Sequence, residues 1–289
     1  MIQARTFQVL ACEVSIATTC RKIADKLDYV AVRAEQHYPV SCRVSYRVEL
    51  SDNGYQVWEN GDQCFHDGNA DRVLIELYRR MHALVYSEMA GCSRLHAGCG
   101  AYEGTLFLTA GPKGVGNSTL MTRLLFDGFV VFGDEMVLGF GDQVIALPRP
   151  FHVKAPALDL LPEVAALANR LPFVMGDGGF KILAFDPTDA GLPWAIRPGR
   201  PAAIFFLQPN HQGATTVEPC SKVGMMQFLM TQSTHDGDDG GAWIRSIGTL
   251  VRGAECHILR VGDLSTAADV MRTALQSAVN CAATLGVTN

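Results

Sequence analysis

The residues best suited to chemistry lie in one stretch, Gly111-Pro112-Lys113-Gly114-Val115-Gly116-Asn117-Ser118-Thr119-Leu120. Gly111 and Gly116 have the spacing of the phosphate-binding loop G-x-x-x-x-G-K-[ST], and Ser118 stands where that pattern puts a metal-binding hydroxyl. Glycines there let backbone N–H groups converge on phosphate oxygens with no Cβ in the way. A helix opening at Ser118 would aim its positive end at the same point. The candidate phosphate contacts are Gly111, Lys113, Gly114, Val115, Gly116, Asn117, Ser118 and Thr119. The bland alternative is a glycine-rich turn before a helix.

One position departs from the pattern. Asn117 occupies the place of the usual lysine. An amide can hydrogen-bond a phosphate but cannot neutralise it, so triphosphate binding and charge stabilisation during phosphoryl transfer should both be weaker. Lys113 could supply a substitute ammonium, with Lys154 as a more distant source. Restoring lysine at 117 is accordingly expected to raise affinity.

Two further features fit the same chemistry. Sixteen residues after Ser118, Gly133-Asp134-Glu135 follows a short apolar run. Acids at the end of a buried strand beside such a loop can hold Mg²⁺, with Ser118 as a further ligand. Of two adjacent acids, one can hold metal and the other can accept a proton; the sequence leaves open which does which. His96 stands near the end of an earlier strand, where a histidine beside glycines is more often structural than catalytic.

These residues need elements to position them. Leu95–Ala101 and Thr105–Ala110 read as paired strands joined at Tyr102-Glu103-Gly104, and the loop follows the second. A helix over Ser118–Phe126 and a strand over Phe129–Phe132 lead to the acids. Met136–Phe140 and Val144–Leu147 form a hairpin around Gly141-Asp142. Further on come a strand at Ala202–Gln208, a helix at Val223–Gln232, a strand at His257–Val261 and a helix at Ser265–Ala282. Asp236-Gly237-Asp238-Asp239-Gly240-Gly241 reads as a mobile acidic loop. Before all this, residues 1–90 read as a small α+β unit. Thr6–Ile16 is a partly alternating strand, and Cys42–Leu50 and Tyr55–Trp58 make a hairpin about Asp52-Asn53-Gly54. Asn69 caps a helix whose apolar stripe runs Val73, Leu74, Leu77, Met81, Leu84, Val85.

Taken in order, Leu95-His96-Ala97-Gly98, the loop, Phe129–Glu135 and Leu147-Pro148-Arg149-Pro150 resemble the HPr kinase/phosphorylase superfamily. The nearer likeness is to its branch of HPr-kinase-related, peptide-modification-associated kinases. The likeness covers roughly residues 90–210. It implies an α/β fold: a P-loop core of the phosphoenolpyruvate-carboxykinase-like type at 91–289, with the small α+β accessory domain at 1–90. It also implies ATP with Mg²⁺ as cofactors and phosphorylation of a serine on a peptide or small protein. Matched residue by residue, Ser118 takes the metal-binding hydroxyl, Asp134 and Glu135 take the paired aspartates, and His96 takes the nearby histidine. The chain departs from the family at Asn117 and at Glu135, whose carboxylate reaches one methylene further than an aspartate.

Composition narrows the field. A formal charge of −5 argues against a general nucleic-acid binder. No segment approaches the roughly 20 apolar residues of a membrane span, and Met1–Arg5 lacks the basic-then-apolar order of a signal peptide. Nine cysteines without a CxxC pair fit a reducing cytoplasm. Eight histidines without an H-x-x-x-H pair make a zinc site unexpected. Arg149, Lys154, Arg197 and Arg200 are candidate phosphate or substrate contacts, or plain surface charges. Three functions follow: a serine kinase of peptides or small proteins, a catalytically impaired nucleotide-binding partner protein, or a relative using another donor or a small acceptor. Assembly as a homo-oligomer is left open.

Overall fold

A two-residue turn with no glycine, asparagine or proline sets the start of the chain. Gln3–Val9 (β1) and Cys12–Thr18 (β2) pair antiparallel, Val9 opposite Cys12, across Leu10-Ala11. Leu10 takes a positive φ of 51° and is fully buried. The single strand expected at Thr6–Ile16 is therefore two. Apolar burial of the turn hides it from a reading based on turn-forming residues. The computed structural model describes residues 2–210, 213–234 and 240–284, with side chains through Ser277.

β2 pairs parallel with Cys42–Ser51 (β3), which forms the expected hairpin with Gly54–Glu59 (β4); Asp62–Asp67 (β5) completes a five-stranded sheet. Alternation sorts its faces: Val14, Ile16, Val44, Tyr46, Val48 and Val57 are buried, and their neighbours are not. Ala70–Glu88 (α1) starts at Asn69, whose side chain accepts from the Asp71 amide. Its buried stripe is Val73, Leu74, Leu77, Met81 and Val85; Leu84 is only half-buried, and His82 takes a place in the buried face.

The chain divides into two units, Met1–Ala90 with Pro148–Ala195, and Gly91–Leu147 with Ile196–Asn289. The second domain, expected to run unbroken over 91–289, is interrupted. The structure instead returns 148–195 to the first unit as a three-stranded sheet, Phe151–Lys154, Lys181–Phe185 and Phe173–Met175, with Lys181–Phe185 central. One carboxylate ties the returning segment down. Asp71 accepts from Lys26 Nζ at 2.5 Å through Oδ1 and from the Met175 amide at 2.9 Å through Oδ2. Lys26 also lies over the Phe173 ring, 4.7 Å from its centroid. Both charged side chains are mostly buried, so the pair is worth more than a surface bridge. Asp71→Ala should cost about 2 kcal/mol in urea unfolding. A change under 0.5 kcal/mol would show the anchor to be idle.

The second unit is a mixed sheet. Ser93–Tyr102 (β6) and Thr105–Ala110 (β7) are antiparallel. Asn117–Phe126 (α2) follows the loop, then Val130–Gly133 (β8), Met136–Phe140 (β9) and Gln143–Ala146 (β10). Ala203–Pro209 (β11), Thr216–Pro219 (β12), Lys222–Thr231 (α3), Ser233–Thr234 (β13), Gly240–Gly253 (α4), Glu255–Val261 (β14) and Leu264–Thr284 (α5) complete it. The order is β10-β9-β6-β7-β11-β14-β12, with β8 and β13 also paired to β6. β7, β11 and β14 are mutually parallel; β7 and β11 are nearly continuous in buried apolar residues, as strands covered on both faces require, whereas only Cys256 and Leu259 are buried in β14. Of the expected acidic loop, Gly240 and Gly241 instead open α4, and Asp236–Asp239 lie outside the described residues. Among the described residues no helix is long and apolar enough to cross a membrane.

Candidate functional site

The site is built around the end of β7. That strand runs Leu106-Phe107-Leu108-Thr109-Ala110, all buried, with Thr109 as the one polar residue in the run. The chain then leaves the sheet at Gly111. A Cβ there would stand 2.9 Å from Val115 Cγ1 and 3.0 Å from Leu207 Cβ on β11, so only glycine lets the loop turn off so close to its neighbour. The Val115 amide donates to the Pro112 carbonyl at 3.1 Å and closes the loop.

Gly114 and Gly116 adopt φ of 88° and 100°, conformations L side chains rarely take. A Cβ on either would meet nothing within 4 Å. Gly116 is the N-cap of α2, and no side chain caps that end. The first-turn amides have no partner within the helix. The loop thus presents an uncapped, positively polarised helix end in open space, which suits an anion. Lys113 is exposed on the loop, and Ser118 and Thr119 are half-buried at the start of the helix.

Asn117 faces the other way. Only 7% exposed, it accepts from Thr109 Oγ1 at 2.6 Å through Oδ1 and donates to the Asp134 carbonyl at 2.9 Å through Nδ2. The amide orientation is fixed by chemistry, because a carbonyl can only accept and must face the NH₂. Thr109 Oγ1 also lies 3.2 Å from Met121 Sδ. A hydroxyl has one proton, and the far shorter contact to the amide oxygen takes it. Both ends of the Asn117 side chain are therefore committed inside the protein, and neither is turned to the loop.

The acid turn is held from two sides. Besides the bond from Asn117, the Glu135 carbonyl accepts from the Ala97 amide of β6 at 3.0 Å. Asp134 is buried at 2% exposure and Glu135 is half-buried. His96 precedes Ala97 and stands opposite Met136 in the β6–β9 register. It lies on the same face of β6 as Gly98, where a Cβ would be 2.6 Å from Met121 Cγ and Thr109 Oγ1. His96, Thr109, the start of α2 and the acid turn thus belong to one face and one end of the sheet.

Sequence reasoning missed two contributors. Thr109 is one; its signal was a lone polar residue in a buried strand. Gln232 is the other: its carbonyl accepts from the His96 amide at 2.7 Å, and β13 then pairs with Leu95 and Arg94. Nothing in the sequence joins Gln232 to His96. Of the four distant cations, Arg197 and Arg200 belong to this unit. Arg200 pairs with Asp142 at 2.7 Å and Arg197 is exposed. Arg149 and Lys154 belong to the other unit, where Arg149 is buried, its Nη1 donating to His152 Nδ1 at 2.8 Å. Burial and the Arg149 charge hold the His152 pKa well below the ordinary value, so that ring accepts as a neutral imidazole. Among the described residues no three His, Cys, Asp or Glu side chains group closely enough to hold a metal by themselves.

No family model matches the chain, and no curated protein does. Among solved structures it is similar to the Hpr(Ser) kinase/phosphatase from Coxiella burnetii, with a TM-score of 0.33 and 11% identity over 64% of this chain and 97% of that one. That likeness is too slight to carry fold or activity from one protein to the other.

Proposed function

We propose that this chain is a phosphotransferase that binds ATP at Gly111–Thr119 and transfers a phosphoryl group to a serine hydroxyl of a peptide or small protein. The observation that carries this reading is the uncapped helix end of α2, framed by two left-handed glycines and facing the open space of the loop. The residues present fit an Mg²⁺–nucleotide: backbone amides for phosphate oxygens, a hydroxyl at Ser118, and acids at 134 and 135 on a turn tied to the same helix. Bound Mg²⁺–ATP supplies the transferable phosphoryl group. The first-turn amides of α2 hold its phosphates, and Ser118 with one acid of the pair holds the cation. The other acid would accept the proton of the serine hydroxyl, with His96 on β6 opposite Met136, the residue that follows the acid turn. The phosphoenolpyruvate-carboxykinase-like type of core is part of the same proposal, as is action on a serine.

A second reading has one specific observation in its favour. Asn117 spends its side chain internally, so the phosphate-facing cation of the usual loop is missing from that position. A nucleotide-binding partner protein without turnover would tolerate this. The two readings separate on transfer of label from γ-labelled ATP to serine-containing peptides: transfer supports the kinase, and tight binding without transfer supports the partner.

With Asn117 turned inward, Lys113 is the loop's one side-chain cation. It makes no ion pair among the described residues. A charge-assisted hydrogen bond contributes about 1.5–3 kcal/mol, so Lys113→Ala should weaken ATP by about 10- to 100-fold in calorimetry. An unchanged Kd would leave the loop with backbone donors alone. Absence of heat and of any thermal shift with millimolar ATP or ADP and Mg²⁺ on the unaltered protein would end the nucleotide reading.

A further inference from the structure

We infer that Asn117 is a positioning residue that locks the acid-bearing turn to the phosphate loop, so that anion and cation are bound as a coupled pair; this rests on the phosphate-site reading above.

The geometry gives this residue two addresses. Its backbone is the first residue of α2, where the amide belongs to the uncapped end. Its side chain reaches back through the sheet to Thr109 of β7 and to the main chain of Asp134. The three groups are 7%, 0% and 2% exposed, so water cannot readily replace any of these bonds. A lysine could not fill this role, because an ammonium has no acceptor for the Thr109 proton. A carboxamide has one acceptor and one donor, and here each has its partner. What the loop lost as charge, the site gained as a rigid link between the helix end and the acid turn.

A rigid link makes the two binding events reciprocal. An anion that settles on the α2 amides fixes Asn117, which fixes the turn that presents Asp134 and Glu135 to a cation. Linkage requires the reverse effect to be equal. The measurable quantity is the ratio of the ADP Kd without and with Mg²⁺. Free ADP and Mg²⁺–ADP, titrated by calorimetry into the full chain, give this ratio for the unaltered protein and for Thr109→Val, Thr109→Ser and Asn117→Asp.

Thr109→Val removes the proton that orients the amide. It should lower the ratio by about 10-fold, within the usual range of coupling, while the Kd for free ADP changes less than about twofold. Thr109→Ser keeps the hydroxyl and should restore the ratio. Asn117→Asp keeps the bond from Thr109 but sets a carboxylate oxygen against the Asp134 carbonyl, and it should lower the ratio too. Thermal unfolding identifies a variant that does not fold, and the remaining one then decides. An unchanged ratio, or equal weakening with and without Mg²⁺, overturns the positioning role and leaves the phosphate site standing. If the unaltered protein binds neither free ADP nor Mg²⁺–ADP, the phosphate site itself is overturned and this inference with it.

Discussion

Gly116→Val should weaken ATP by on the order of 100-fold or more while lowering stability only modestly. The two effects separate because the Cβ would meet no protein atom within 4 Å. The folded protein pays only for a β-branched residue at φ 100°, about 1–3 kcal/mol for a sparsely populated backbone conformation. A ligand on the loop pays far more. The new side chain enters the space left open in front of the α2 amides, and a shift of about 1 Å at such a site can cost 10²-fold. Urea unfolding and calorimetry on the same preparation test this. If affinity falls only in step with stability, that space is not where the anion sits.

Asn117→Leu should cost about 3 kcal/mol. Leucine fills a similar volume but offers no polar atom. It takes the donor from the Asp134 carbonyl at 2% exposure and leaves the Thr109 hydroxyl, at 0%, with only the weakly accepting Met121 sulfur 3.2 Å away. An unsatisfied buried group costs about 1–3 kcal/mol each. Combining it with Thr109→Val removes the stranded hydroxyl as well. The pair should then cost less than the sum of the singles, with a coupling of about 0.5–3 kcal/mol. Strict additivity would mean the 2.6 Å contact contributes nothing. Asn117→Lys meets the same difficulty, since the Thr109 proton is again left with only the weakly accepting Met121 sulfur. The simple expectation that lysine adds affinity is therefore revised: any gain at the loop comes with a loss of stability.

Parts of this fold were legible because one residue type settles the local geometry. Asn53-Gly54 made a hairpin certain, and Gly54 indeed takes a φ of 116°. Asn69 before an apolar stripe fixed the start of α1 to the residue. The β6–β7 pair and the β9–β10 hairpin also stand close to where alternation put them. The region after Pro148 was not legible. Its strands are two to five residues long, with only short 3₁₀ and α turns among them, too short for a period to show. Nor could local pattern tell that this stretch returns to the first unit.

The site divides in the same way. Gly111 to Leu120, His96 and the acid pair stood out because their types and spacing are unusual together. The direction of the Asn117 side chain did not. Read in the sequence, an asparagine in place of lysine is a missing charge. Folded, it is a donor and an acceptor, each with a partner that only the tertiary structure supplies. Gln232 was hidden for a related reason: it acts through its backbone carbonyl, which carries no sequence signature.

The division of the chain also bears on how the protein is made. Synthesis passes from the first unit to the second after Ala90, back after Leu147, and across again after Ala195. Neither unit is a contiguous stretch. When the Gly111–Thr119 loop emerges, β7 has no parallel neighbour, because β11 begins at Ala203 and β14, which pairs with β11, at Glu255. Pairing across such separations closes large loops and is slow. Meanwhile the apolar run Leu106–Ala110 waits with an open edge, a template for pairing with another chain. The loop is therefore among the first parts of the second unit to be synthesised and among the last to be enclosed. Fragments ending before Ala203 should keep that edge exposed, and a chaperone that shields nascent strands would act on this stretch.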